Sequence, residues 1–112
     1  FFFKHKPATE IRLSLVGSEM CIRDREYGFD TFKFFPAEAV GGTTLLKSLH
    51  GPFGDVKFCA TGGIGLDNVM SYLSLANVLS VGGSWITPSK LIKEKRWSEI
   101  ERLASQASSL TQ

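Results

Sequence analysis

Thr31-Phe32-Lys33-Phe34-Phe35-Pro36-Ala37-Glu38 sets an ammonium-bearing side chain in the middle of an aromatic, strand-like run. Side chains alternate faces along a strand, so Thr31, Lys33 and Phe35 share one side while Phe32 and Phe34 take the other. If Phe32 and Phe34 pack beneath a helix, Lys33 points to the opposite face. There, partial desolvation favours a neutral, nucleophilic amine, which can form a Schiff base with a ketone. The competing reading is structural. A single strand lysine is commonly an edge residue, or one whose stem follows apolar surface while its head stays in water.

Working outward, two further apolar runs end in small, hydrogen-bonding residues: Val56-Lys57-Phe58-Cys59-Ala60-Thr61-Gly62-Gly63 and Val78-Leu79-Ser80-Val81-Gly82-Gly83-Ser84-Trp85. Each has strand length and leads into helical spacing. After the first, Asp67 is the expected N-cap, and Val69, Met70, Leu73 and Leu75 form an apolar stripe. After the second, Thr87-Pro88 suits an N-cap and first helical position. A later helix then presents Trp97, Ile100, Leu103, Ala104, Ala107 and Leu110 on one face. Behind the lysine strand, Thr44 to Leu49 reads as a short helix that Gly51-Pro52 ends. From about Tyr27 the pattern is strand, helix, strand, helix, strand, helix. It predicts an α/β chain of parallel βα units, either an open sheet or part of a (β/α)8 barrel.

The loops Thr61-Gly62-Gly63 and Gly82-Gly83-Ser84 fit a phosphate, because glycine lets backbone N–H groups approach an anion and the hydroxyls of Thr61 and Ser84 can donate as well. Taken singly, each Gly-Gly pair is equally a turn or a close strand-helix contact. Two on consecutive units make the anion reading stronger.

The order and spacing of Phe32-Lys33-Phe34-Phe35-Pro36-Ala37-Glu38, Gly51-Pro52-Phe53, Phe58-Cys59-Ala60-Thr61-Gly62-Gly63-Ile64 and Val81-Gly82-Gly83-Ser84-Trp85 resemble the C-terminal part of the 2-keto-3-deoxy-6-phosphogluconate aldolases, also called 4-hydroxy-2-oxoglutarate aldolases. The resemblance runs from about Tyr27 to the C-terminus. It implies three βα units, strands six to eight of an incomplete (β/α)8 TIM barrel, with Lys33 as the Schiff-base residue. It also puts the two Gly-Gly loops after strands seven and eight, where barrels of this kind bind phosphate. Thr61, Gly62, Gly63, Gly82, Gly83 and Ser84 would then bind substrate, and Phe35 would wall the pyruvyl carbons unless it is simply core. The implied partner is a small keto acid and no metal cofactor is implied. The loops favour a phosphorylated substrate over a dicarboxylate, and the family implies a homotrimer.

Other residues read more plainly. Glu38, just after Pro36, is either a proton shuttle or, more simply, a loop residue. His50 suits a helix C-terminus. Cys59 reads as a small buried strand residue, and Cys21 has no partner spacing for zinc or a disulfide framework. The mixed charges from Lys93 to Arg102 read as a solvated face. A net charge of +2 without a basic stripe gives no support for nucleic-acid binding. No apolar run is long enough to span a membrane, and the absence of export or anchoring signals points to the cytoplasm.

Residues 1–26 stand apart. Phe1-Phe2-Phe3 is too short for a signal core, His5 adds no catalytic pattern, and Ala8 to Arg25 reads as translated sequencing-adapter sequence, the alternative being a real but divergent N-terminal segment. A full barrel typically needs about 200 residues or more, so a 112-residue chain is expected to be a truncated enzyme. The family's general acid/base glutamate and carboxylate-binding arginine come from early strands and have no counterpart here. The chain alone is therefore expected to be inactive and weakly folded, with exposed sheet edges. Two other classes remain open. A non-catalytic α/β remnant would at most bind anions, and a different phosphosugar-binding barrel would use the loops without Lys33.

Overall fold

A computed structural model describes residues 26–110. But for Glu26, the proposed leader with its His5 and Cys21 lies outside the described residues. Three strands, β1 (Thr31–Phe34), β2 (Lys57–Thr61) and β3 (Val78–Gly82), form one parallel sheet in the order β1-β2-β3. Between them run α1 (Gly42–His50) and α2 (Val69–Leu73). After β3 come a single 3-10 turn, Ser84–Ile86, then α3 (Ser89–Lys93) and α4 (Trp97–Ser109). The alternation expected from sequence is thus present, and parallel pairing follows because each strand returns through a helix.

The two-residue period of β1 decides which face is covered. Phe32 and Phe34 are buried, Lys33 is half-buried and Phe35 is exposed. Across the sheet Phe32 pairs with Phe58, and Phe34 with Ala60. The Phe58 ring stands 6.3 Å from that of Phe32 and 6.0 Å from that of Phe34, the latter edge-on. Edge-on rings of this kind set a positive edge against a negative face. Leu46 and Leu49 of α1 and Val69 and Tyr72 of α2 complete the same core, with Phe53, Val56 and Ile64 from the connections. In each helix this core pair lies three residues apart and so shares a face.

Asn77, wholly enclosed, ties these layers together. Its side-chain amide donates to the Leu46 carbonyl at 2.7 Å, and its own carbonyl accepts from the Phe58 N–H at 2.8 Å. A buried amide without partners would cost more than it returns; here it fixes α1 against the entry to β3.

Several boundaries differ from the sequence reading. Helix α1 starts at Gly42, two residues before Thr44, because the left-handed Gly41 and Gly42 turn the chain in and the Gly42 N–H donates to the Ala37 carbonyl at 2.8 Å. Asp67 does not cap α2; Asn68 occupies that position, and its side chain turns back to the preceding loop. The stripe also shifts. Met70 is exposed and Tyr72, which the periodicity omitted, is buried, since a five-residue helix presents only the Val69–Tyr72 pair to the sheet. Pro88, not Thr87, sits at the cap of α3, extended at ψ 133°. Along α4 the expected face is only partly covered: Ile100, Leu103, Ala107 and Leu110 are half-buried, whereas Trp97 and Ala104 face solvent.

The core assignment sets the cost of truncation. Phe58→Ala is expected to remove about 3–5 kcal/mol of stability, read as a lower urea midpoint. Leu79→Ala, at a residue 59% exposed, should stay within about 0.5 kcal/mol of the parent. Similar losses at the two sites would contradict this core.

Candidate functional site

In a parallel sheet all C-terminal strand ends lie on one side, and the loops that follow them converge there. Lys33 lies near that end of β1, one residue short of its last position. Cys59 of β2 is its registered partner, and Ser80 of β3 is the partner of Cys59. At the strand tips Thr61 pairs with Gly82, which brings the Thr61-Gly62-Gly63 and Gly82-Gly83-Ser84 loops side by side. A cavity of about 460 Å³ opens between them, and Lys33, Phe35, Thr61, Gly62, Gly63, Gly82, Gly83 and Ser84 all line it. The lysine, Phe35 and both glycine loops expected from sequence to form the site therefore border one space.

The Lys33 amine lies over the Phe35 ring, 5.0 Å from its centroid. That distance is within the range of amine–ring contact, so the ring positions the lysine head on the cavity side. Phe35 is 46% exposed. It is therefore a wall of the cavity, and the alternative reading of it as core filler does not hold. Thr61 is buried and Ser84 exposed, so the two hydroxyls sit at different depths.

The loop after β1 is stitched to the loop after β2. The Ala37 N–H donates to the Thr61 carbonyl at 2.7 Å, and the Glu38 N–H to the Gly62 carbonyl at 3.1 Å. Gly62 and Gly63 both have positive φ, +98° and +78°. A Cβ on Gly62 would stand 2.9 Å from Pro36 Cα, and one on Gly63 would stand 2.7 Å from Glu38 Cγ. Both glycines are thus required twice, by backbone conformation and by close approach. Asn68 holds the far side of the loop, accepting from the Gly65 N–H at 2.9 Å and donating to the Gly63 carbonyl at 3.1 Å. The third segment joins through Trp85, whose ring lies against Gly83.

Glu38 makes a long-range contact that no local sequence pattern announces. Its carboxylate accepts a hydrogen bond from the hydroxyl of Tyr72, 34 residues away on α2. Burial first, then that hydrogen bond and the nearby negative charge, push the Tyr72 phenol well above its ordinary range. Glu38 does not line the cavity, which has no carboxylate on its wall among the described residues. Ile64 does line it. Its position directly after Gly-Gly was the available signal. Asn68 could have been found as a turn-forming Asn three residues after a glycine. Cys59 is buried and His50 ends α1, both as read from sequence.

The family model for KDPG and KHG aldolase matches residues 15–103, a span that begins upstream of Tyr27. The chain is 48% identical over 86 residues to the 2-dehydro-3-deoxy-phosphogluconate aldolase of Pseudoalteromonas atlantica, covering 77% of this chain and 40% of that protein. It is 41% identical over 106 residues to the KHG/KDPG aldolase of Escherichia coli, covering 91% of this chain and 50% of that one. Among solved structures it is similar to a KDPG aldolase from Legionella pneumophila with pyruvate captured at low pH as a covalent carbinolamine intermediate. That similarity has a TM-score of 0.75 and 48% identity, over 80% of this chain and 44% of the other. A 2-keto-3-deoxy-6-phosphogluconate aldolase of Zymomonas mobilis with 3-phosphoglycerate matches with a TM-score of 0.63 and 43% identity, over 66% and 36% of the two chains. The chain spans half or less of the length of these relatives.

Two measurements check this geometry. Gly63→Ala meets both backbone strain and Glu38, whereas Gly28→Ala, at φ +83° with nothing within 4 Å, meets strain alone. Gly63→Ala should therefore lose about 1–3 kcal/mol more on urea denaturation; equal losses would contradict the packing. For Tyr72, the phenol is protonated in both folded and unfolded chains below about pH 10. Above it the unfolded chain releases the proton and the native one retains it, so native stability falls as pH rises. The stability advantage of the parent over Tyr72→Phe should shrink between about pH 8 and pH 11; a constant gap would show the phenol to be unperturbed.

Proposed function

The chain belongs to the KDPG and KHG aldolase family, and we propose that it is the part of such an enzyme that carries its Schiff-base lysine and phosphate cradle, strands six to eight of a (β/α)8 barrel. The observation that carries this reading is the single cavity shared by Lys33 and both Gly-Gly loops. A covalent carbinolamine of pyruvate is recorded in the Legionella protein, and the same chemistry suits an amine at this position.

Breaking a carbon–carbon bond beside a ketone leaves an electron pair that needs a sink, and a protonated imine is a better one than the ketone. The unprotonated amine of Lys33 adds to the 2-keto carbon, giving a carbinolamine. Loss of water gives the iminium. The bond between C3 and C4 then breaks, with the C4 hydroxyl proton leaving to a base and the C4 oxygen becoming the carbonyl of the released aldehyde. The electron pair passes into the iminium as an enamine of pyruvate. Protonation at C3 and hydrolysis return Lys33 and pyruvate. Phe35 flanks the three pyruvyl carbons. The N–H groups of the Gly62-Gly63 and Gly82-Gly83 loops, with the Thr61 and Ser84 hydroxyls, receive the phosphate of 2-keto-3-deoxy-6-phosphogluconate, whose aldehyde product is glyceraldehyde 3-phosphate. With 4-hydroxy-2-oxoglutarate the same steps give glyoxylate and leave the cradle unused.

The cleavage and protonation steps need a base and an acid at the cavity, and no carboxylate lines it among the described residues. The 112-residue chain is therefore proposed to form the imine without turning over. Assembly as a trimer and a cytoplasmic setting belong to the same proposal for the parent enzyme. No helix among the described residues is long and apolar enough to cross a membrane.

Borohydride reduction in the presence of pyruvate should leave a stable adduct on this chain, and Lys33→Met should abolish it. Trapping that persists in Lys33→Met would overturn the assignment. Ser84→Ala should weaken binding of a phosphorylated keto acid by about 1 kcal/mol, one hydrogen bond, and should weaken pyruvate less. Equal losses for the two ligands would count against the cradle.

A further inference from the structure

The Glu38–Tyr72 pair lies outside the cavity yet touches the loop that forms one of its walls. Four observations converge on it. The Tyr72 hydroxyl donates to Glu38 Oε1. The Glu38 N–H holds the Gly62 carbonyl at 3.1 Å. The Glu38 side-chain carbons Cβ and Cγ occupy the space a side chain at Gly63 would need, 2.8 and 2.7 Å from an added Cβ. On its other side, Gly42 leaves room for the pair: a Cβ there would stand 3.2 Å from the Tyr72 hydroxyl and 3.5 Å from Glu38 Oε1.

Tyr72 is wholly buried and anchored in the core by α2, so its hydroxyl is a fixed point. Glu38 is exposed in a turn; its backbone is held by the Gly62 carbonyl, and its carboxylate is held by that hydroxyl. Phe35 and Pro36 press on Gly62 from one direction, and the Glu38 stem presses on Gly63 from the other. Glycines at positive φ are the least constrained part of the backbone, and an anion site made of their N–H groups binds well only if those groups are held beforehand.

Building on the phosphate-cradle reading above, we propose that Glu38 and Tyr72 are a positioning pair for the phosphoryl group of the substrate: a strut running from α2 through Glu38 that sets the Gly62-Gly63 loop. The pair acts through the loop and touches neither the keto carbon nor Lys33. Its effect is confined to the phosphorylated end of the substrate. Because Glu38 serves as an acceptor and a stem, its negative charge is not what the cradle needs; a carboxylate near an anion is a cost that the positioning outweighs.

The 112-residue chain, with Glu38→Ala, Glu38→Gln and Tyr72→Phe variants, tests this with two probes. Inorganic phosphate is titrated while the amides of Gly62, Gly63 and Gly83 are followed by NMR, and pyruvate is trapped on Lys33 with borohydride. Glu38→Ala and Tyr72→Phe should weaken phosphate about fivefold to tenfold, the scale of one lost hydrogen bond. Glu38→Gln keeps an acceptor for the Tyr72 hydroxyl and should bind phosphate at least as well as the parent. Trapping at Lys33 should stay within about twofold in all three, since no pyruvate contact is altered. Unchanged or tighter phosphate binding by Glu38→Ala would overturn the proposal, showing the carboxylate to be a repulsive neighbour and nothing more. A parallel loss of trapping and phosphate binding would also overturn it, reducing the pair to a fold contact. If the parent traps pyruvate but binds no phosphate, the cradle and its strut fall together while the lysine chemistry stands. If the parent binds phosphate but traps no pyruvate, the aldolase reading fails and the comparison among variants still decides the strut.

Discussion

Strand β2 hydrogen-bonds to a neighbour on each side, and that double registration determines what the rest of the molecule can do. It aligns Lys33 with Cys59 and Thr61 with Gly82. A one-residue slip would turn every side chain to the opposite face. Phe32 and Phe34 would then meet solvent, and Lys33 would enter the core beside Leu46 and Tyr72. The hydrophobic effect acting on the Phe32–Phe34–Phe58 cluster thus holds the amine on the cavity side.

From that alignment the site follows by short-range constraints. Parallel strands deliver their loops to the same end, and backbone bonds from Ala37 and Glu38 join the first loop to the second. Positive-φ glycines let these segments approach closely. Asn77, buried between α1 and β3, has its side-chain amide satisfied by the Leu46 carbonyl. The cavity side and the packed side are therefore two faces of one sheet, and the apolar face specifies the geometry of the other.

Much of this was legible in the chain because its signals are local. The Phe-Lys-Phe-Phe alternation in β1 and the Gly-Gly pairs after β2 and β3 need only a few residues of context, and all eight candidate residues line a common cavity. The failures have a shared physical origin. Helix α2 has five residues, too few for periodicity to choose between Met70 and Tyr72, and burial against the sheet made the choice. Asp67 and Asn68 are equally good caps by composition, and the hydrogen bonds of Asn68 to Gly63 and Gly65 decided between them. The Glu38–Tyr72 and Asn77–Leu46 bonds join residues 34 and 31 apart, and no pattern in a single sequence announces such pairs. Glu38 looked like a loop residue or a proton shuttle; it is a loop residue whose carboxylate has a partner in the core.

The central claim is that one lysine and two glycine loops make a single ligand site. Nuclear magnetic resonance of the nitrogen-labelled chain after reductive attachment of pyruvate reads this most directly. The account predicts one modified lysine, Lys33, with the largest amide shifts at Gly62, Gly63 and Gly83. An adduct spread over the lysines of α3 and α4, or shifts that leave both glycine loops unmoved, would contradict it.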